Sequence, residues 1–563
     1  MDSGRRATTK TAAVPDLSAA RVAGIAVLVS LFSFLYYVRR GELLLYGDAV
    51  AHINIARRVF DSLTPGLLQL GTVWLPLPHL LLIPFVWPHA MWQNGTGGSI
   101  PSMIAYVFGV VGIFRLVGGM LQPDLSSEAG REAGKEVGAK PAVSVGAWAA
   151  AFAYGANPNL IYMQATAMTE SIYLALFIWA VVYFAEFLRA RKENERKERA
   201  LTRCALCLAG AELTRYDGWF LAGVMGAVIA IIALRRRQNH ALRRVAAKFL
   251  LGIAVVPVVW LAYNRVVYGN ALDFANGPYS AQAIEQRVGA PNPALHHAGV
   301  AALYFLKSAQ LNLANGNWGR FWLAAAFVAV VIAAWKLRAQ SAALLLLWVP
   351  LPFYAFSIAY GSVPLHVYTW WPFATFNQRY GLQLLPMFAV SSGVLAASVF
   401  LHGAGGRHGG KMAAVILALV VGSYASVWKA EPQCLAEARR NWVMRNPLNS
   451  AVERVVARLP KNSRFLMDIS EHVGIMEQAG IPLRQVVNNE NHRVWKRPSD
   501  PEGLWERALA DPPRYVDFVI AFDGDLVERK VNLTNLTELI EIHATGQPHA
   551  RIYSARIAPN QSR

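Results

Sequence analysis

The sequence predicts a polytopic α-helical membrane protein with a C-terminal α/β domain, and three observations carry that prediction. Of 563 residues, 55% are hydrophobic and only 16% are charged, where soluble chains carry roughly 25% charge. Apolar runs of membrane-spanning length recur through the first 430 residues, and about 20 such residues cross a hydrocarbon core. The net charge of +19 sits almost wholly in that part, because residues 431–563 hold 18 Lys/Arg against 17 Asp/Glu. A basic excess on a charge-poor chain suits cytoplasmic loops that collect Lys and Arg. A nucleic-acid binder would need many exposed basic side chains, so no nucleic-acid partner is expected. Three cysteines do not make a disulfide framework.

Residues 1–20 read as a polar cytoplasmic tail, and residues 21–430 as the membrane domain. The first apolar run, Val22–Val38, has no small-residue cleavage site after it and reads as an anchor. The first outer loop, 41–71, follows. Further runs are Ile100–Gly119, Val143–Met163, Ser171–Leu188, Trp219–Leu234, Ala246–Tyr263, Phe321–Trp335, Ser341–Tyr360, Tyr380–Leu401 and Met412–Trp428. Two are weaker: Thr72–Trp92 is broken by Pro76, Pro78, Pro84 and Pro88, and Cys204–Thr214 is short and carries Glu212. About 11 spans are expected, with 13 as the upper count. Basic clusters at Arg189–Arg203, Arg235–Lys248, Lys336/Arg338 and Arg407/Lys411 orient these spans by the positive-inside rule. They place Glu170, Thr214–Gly218, Gly361–Arg379 and the tail outside, in a multi-pass inner-membrane protein with a cytoplasmic N-terminus. Three candidate crossings between the first loop and Glu170 give the wrong parity. Either the proline-rich one does not cross, or one apolar stretch hides two short helices.

The tail, 431–563, alternates strand and helix signals. Arg464–Asp468 and Tyr515–Ala521 read as buried strands, Glu538–His543 and Ala550–Ser554 as shorter ones, and Pro501–Leu509 as a helix with Trp505 on its apolar face. This is an extracytoplasmic α/β domain with a small sheet. Nothing in it has a catalytic appearance.

Polar residues in apolar surroundings mark the candidate site. Asp48 follows Leu43-Leu44-Leu45-Tyr46-Gly47 at the start of a helical pattern, and His52 lies one turn on. Asp48 reads either as a helix cap or as a carboxylate base for an acceptor hydroxyl. Glu170 lies between two apolar runs, as a helix-start acid or as one of the costly acids that membrane proteins keep for function. Arg215 pairs with Asp217 or Glu212, or faces an anion. Arg379 and Tyr380 are an interfacial snorkelling pair or a phosphate clamp, for which Arg has the better geometry. Trp74 belongs to an interfacial belt or stacks on a substrate.

The order of these pieces resembles the GT-C fold glycosyltransferases that use polyprenyl-phosphate sugars, closest to the family of protein O-mannosyltransferases and aminoarabinose transferases. The matching pieces are Gly47-Asp48-Ala-Val-Ala-His52, Trp74-Leu-Pro76-Leu-Pro78-His79, Met168-Thr169-Glu170, Leu213-Thr214-Arg215-Tyr216-Asp217-Gly218-Trp219, Asn264-Arg265…Tyr268-Gly269-Asn270, and Arg379-Tyr380…Leu385-Pro386. The resemblance covers roughly residues 20–430. It implies Asp48 as the catalytic acid of the first loop and Glu170 as the second acidic position. It further implies Arg379, Arg215 and His52 at the donor phosphate, and Tyr380, Trp74 and His79 in positioning substrates. The implied partners are a polyprenyl-phosphate sugar donor, the bilayer, and a protein, lipid or glycan acceptor. Relatives often carry an acidic pair in the first loop, where this chain has Ala49 and Val50, and those that bind zinc carry a charged residue where Val73-Trp74-Leu75 precedes Pro76. No cofactor and no divalent metal is therefore expected. The rival class is a transporter or flippase, but the inverted repeat and paired broken helices usual there are not found.

Overall fold

The computed structural model describes residues 17–122, 139–190, 194–288, 291–316, 318–337, 342–361, 363–402, 407–470, 472, 474–491 and 503–555. Residues 1–16 of the expected tail, Arg191, Lys192 and Arg338 of the basic clusters, and Pro501 at the start of the expected tail helix lie outside the described residues.

The chain is an integral membrane protein. Eight described helices are long and apolar enough to cross a membrane, or nine if the bent pair Ala298–Leu313 and Trp318–Ala333 forms one span. Two more helices pack into the same bundle but are less apolar or shorter. Asn194–Glu212 is charged along its first half and lies against Glu170–Arg189. Ala139–Gly155 has 17 residues and packs on Leu385–His402. That contact is close because both helices are small-residue rich: a Cβ on Gly393 would fall 2.5 Å from the Gly146 carbonyl oxygen, the kind of approach that packs helices in lipid. The outward faces are apolar. Leu28, Phe32 and Leu35 on the first helix are 68%, 81% and 50% exposed, and Trp335 is 82% exposed. In water such a stripe would be unstable, whereas in lipid it is the solvated face.

The parity problem resolves locally. The proline-rich stretch yields only a ten-residue helix, Leu77–Val86, about 15 Å long at 1.5 Å per residue and half the roughly 30 Å core. The run Val143–Met163 breaks at Asn157-Pro158, where the Asn157 side chain accepts the N–H groups of Asn159 and Leu160 and starts the short helix Pro158–Met163. Two long helices, Thr96–Leu121 and Ala139–Gly155, remain between the first loop and Glu170.

Beyond the last apolar helix, Arg407–Lys429, the helix Gln433–Val456 leads into a five-stranded mixed sheet of order β2-β1-β3-β5-β4. The strands are β1 Phe465–Met467, β2 Val486–Val487, β3 Phe518–Phe522, β4 Thr537–Ile542 and β5 Ala550–Ser554. β1 pairs in parallel with β2 and β3, and β5 runs antiparallel to β3 and β4. All of β1 and β3 is buried, which explains their continuous apolar sequence. β2 has no sequence signal, being two valines beside a turn. Trp505, on the helix Leu504–Ala510, is buried against this sheet. The other face of the sheet is continuous with the membrane core: Phe465, Ile475 and Phe518 belong to the same buried cluster as Ala49 and Ile53 of the first loop. The tail thus docks on the first-loop helix, Gly47–Arg58, where the buried Glu477 accepts from Asn54 Nδ2 at 2.5 Å.

Candidate active site

The site forms where the first-loop helix meets the ends of three bundle elements. Asp48 lies in the first turn of Gly47–Arg58, where a carboxylate is favoured by the helix dipole. Its side chain is 39% exposed, and its Oδ2 lies 2.6 Å from Arg379 Nη2. Arg379 is carried by the 3-10 turn Gln378–Leu384. That turn lies close against the helix Ala298–Leu313, because Gly381 has no Cβ: one placed there would fall 2.5 Å from the Ala309 nitrogen. The guanidinium is nearly buried and engages three carboxylates: Asp48, Glu170 Oε1 at 3.2 Å from Nε, and Glu437 Oε1 at 3.2 Å from Nη1.

Arg215 is the second cation. It caps the helix Tyr216–Arg235 in extended conformation, which turns its side chain toward Glu170. Nη1 lies 3.3 Å from Glu170 Oε1 and 3.2 Å from Thr169 Oγ1. Nε donates to Asp217 at 3.3 Å, and Nη2 donates to the Tyr354 hydroxyl at 2.9 Å. Tyr354 in turn donates to Asp217 at 3.1 Å. Both guanidiniums lie 5.2 Å from the centroid of the Tyr380 ring, within cation–π range. Glu170 is fully buried, and its Oε2 has no protein hydrogen-bond partner. Two guanidiniums therefore face four carboxylates, Asp48, Glu170, Asp217 and Glu437. Asp48 is the most exposed of the four acids that hold the arginines.

Five of the expected residues, Asp48, Glu170, Arg215, Arg379 and Tyr380, thus share one cluster. The other three form a separate group beside it. His52 Nδ1 lies 2.9 Å from His79 Nε2, and the His52 ring packs 4.9 Å from that of Trp74. His52 is buried apart from the two arginines expected with it at the phosphate. Desolvation lowers its pKa to about 4 against the opposing pull of Asp48, so the ring is neutral at pH 7. This has a consequence for stability. The unfolded chain takes up this proton near pH 6.5 and the folded chain only near 4, so His52 costs stability as pH falls through that window. The melting temperature of the detergent-purified protein should drop between pH 6.5 and 4, and His52→Asn should shrink the drop. An unchanged slope would remove His52 as a source.

Glu437 and Tyr354 were not expected in the site. Tyr354 carries no sequence signal beyond its place in an apolar run. Glu437 has one: it is a lone acid in Cys434-Leu435-Ala436-Glu437-Ala438, in the first two turns of a helix, and buried acids are rare unless paired. Of the two acids offered for Arg215, Asp217 is the partner.

Among the described residues no group of three or more His, Cys, Asp or Glu is arranged to hold a metal. At the first-loop position Asp48 Oδ2 is bound to Arg379, and its neighbours Ala49 and Val50 offer no side-chain ligand.

The helical bundle with its appended mixed sheet has the GT-C fold. The solved structures it resembles include ArnT from Cupriavidus metallidurans bound to undecaprenyl phosphate, at a TM-score of 0.55 and 12% identity, covering 97% of this chain and 99% of that one. The apo form of the same protein superposes at 0.51 and 11% identity, covering 95% and 97%. No family model matches the sequence, and no curated protein matches it. At this identity the likeness concerns the fold.

Proposed function

We propose that this protein transfers a glycosyl group from a polyprenyl-phosphate donor to an acceptor hydroxyl at the outer face of the membrane, with inversion. The carrying observation is the Asp48–Arg379 pair: a partly exposed carboxylate 2.6 Å from a nearly buried guanidinium, with Arg215 sharing Glu170 Oε1 with Arg379. Such a transfer needs few groups. The acceptor oxygen forms a bond to the anomeric carbon, the bond from that carbon to the phosphate oxygen breaks, and the electron pair leaves on the phosphate. Asp48 takes the hydroxyl proton. Arg379 and Arg215 meet the charge that develops on the leaving phosphate, where a preplaced cation acts most strongly. As the donor phosphate takes over Nη2 of Arg379, Asp48 is released to face the acceptor. Glu170 holds both arginines from beneath and orients the sugar through its free oxygen. The His52–His79–Trp74 group shapes the adjoining wall by packing. ArnT bound to undecaprenyl phosphate supports a lipid-phosphate donor of this kind. In this reading residues 431–563 lie outside the inner membrane with the site, and the N-terminus lies in the cytoplasm.

The test is a panel of labelled polyprenyl-phosphate sugars incubated with purified protein in EDTA. The expected result is release of free prenyl phosphate and label on an acceptor, undiminished by the chelator. No release from any donor, together with solute uptake in vesicles, would replace this reading with a transporter.

A further inference from the structure

The helix Gln433–Val456 touches both halves of the Asp48–Arg379 pair. Glu437 meets the arginine side. Its Oε1 accepts the Asn377 N–H at 2.9 Å and lies 3.2 Å from Arg379 Nη1, and its Oε2 accepts the Gln378 N–H at 2.8 Å. Asn377 is in the left-handed region, at φ 57, so its N–H and the next converge on one anion. One turn along, Asn441 meets the Asp48 side, with Oδ1 accepting the Gly47 N–H at 2.7 Å. A turn further, Arg445 Nη2 donates to the carbonyls of Leu44 and Leu45, each at 3.3 Å. A Cβ on Gly47 would lie 3.3 Å from Asn441 and 3.7 Å from Arg445, so the loop runs directly along this face. Residues 437, 441 and 445 are spaced four apart and line one side of the helix.

We infer that this helix is a splint: Glu437, Asn441 and Arg445 together set the separation and aim of Asp48 and Arg379. The inference rests on the transfer reading above. It makes these three side chains positioning residues, and it gives the C-terminal segment a part in the chemistry although no group in it reacts. A rigid ruler suits the task. Asp48 and Arg379 come from segments some 330 residues apart in the chain. An α-helix holds a fixed rise between successive turns.

The experiment compares Glu437→Gln, Glu437→Asp, Asn441→Ala and the double variant Glu437→Gln/Asn441→Ala with wild type. Arg454→Ala serves as a control on the same helix, where the side chain is exposed and donates to the Ser450 carbonyl. Each is assayed for kcat, donor KM and binding of polyprenyl phosphate. Misplacing a reacting group by about 1 Å costs on the order of 100-fold. We expect kcat to fall about 10- to 100-fold in both Gln and Ala variants, with polyprenyl-phosphate binding within about threefold of wild type. The double variant should lose less than the product of the two, because both release the same geometry. Glu437→Asp keeps the charge but not the reach, so it should stay impaired. Recovery in Glu437→Asp would show that charge alone matters and overturn the inference. Equal loss of kcat and of prenyl-phosphate binding would mean general unfolding, and wild-type turnover in the single variants would mean no role; either overturns it too. If wild type itself releases no prenyl phosphate from any donor, the transfer reading is what fails.

Discussion

Asp48→Asn should lower glycosyl transfer by about 10²- to 10⁴-fold, the range for loss of a positioned general base, while the protein folds and still binds polyprenyl phosphate. The substitution keeps the shape of the side chain and removes only its charge and basicity. Arg379 keeps Glu170 and Glu437 as partners, so no buried cation is left uncompensated. Because Asp48 occupies Nη2 of Arg379 in the free protein, its neutralisation also removes a competitor for the donor phosphate. Binding of polyprenyl phosphate should therefore be equal to or tighter than wild type while kcat collapses. Kinetics on the variant alongside a binding isotherm settle the matter. An Asn variant that turns over at the wild-type rate would end the assignment of Asp48 as base.

The second large effect is at Arg379. Arg379→Ala should cost stability as well as activity, because it removes the arginine from Glu437 and leaves Glu170 with Arg215 alone, the two acid side chains being 8% and 1% exposed. Breaking a buried ion pair by removing one partner typically costs about 3–5 kcal/mol. The alanine variant should therefore melt early and express poorly, and its inactivity alone would be a weak argument. Arg379→Lys is the sharper probe. Lysine restores the charge but not the planar fork that reaches three carboxylates at once. It should fold, with the donor KM raised by about 10- to 100-fold, the equivalent of one charged hydrogen bond at about 1.5–3 kcal/mol. A lysine variant with the wild-type KM would remove Arg379 from the phosphate site. An alanine variant as stable as wild type would show that the acids beneath it are not held as charged partners.

Much of this protein was legible before its structure. The bundle follows from apolar runs that cannot be satisfied in water, and four of the five strands follow from strand-like runs bounded by turns, although Thr537–Ile542 is largely exposed. Asp48, Glu170, Arg215 and Arg379 stand out because a charge beside an apolar run is expensive unless it is used. The failures have equally physical causes. The burial of His52 was not legible, because one-turn spacing from Asp48 says which face it shares, not how much protein covers that face; packing against His79 and Trp74 lowers its pKa. The proline-rich stretch has the composition of a span but not its length, since prolines end the helix early. Glu437 was passed over because it sits in a segment of ordinary soluble composition.

Composition and period by themselves determine what each segment must be. They establish a membrane bundle, an α/β tail, and a set of acids and arginines at the ends of apolar runs. Hydrophobic length and charge bias act locally, so they can be read residue by residue. Which charges meet is not local. Asp48 and Arg379 lie far apart in the chain, and their contact depends on packing between a first-loop helix, a 3-10 turn and the helix Gln433–Val456 that touches both. Only the tertiary structure decides that pairing, because the desolvation that makes it strong exists only once these elements close around it.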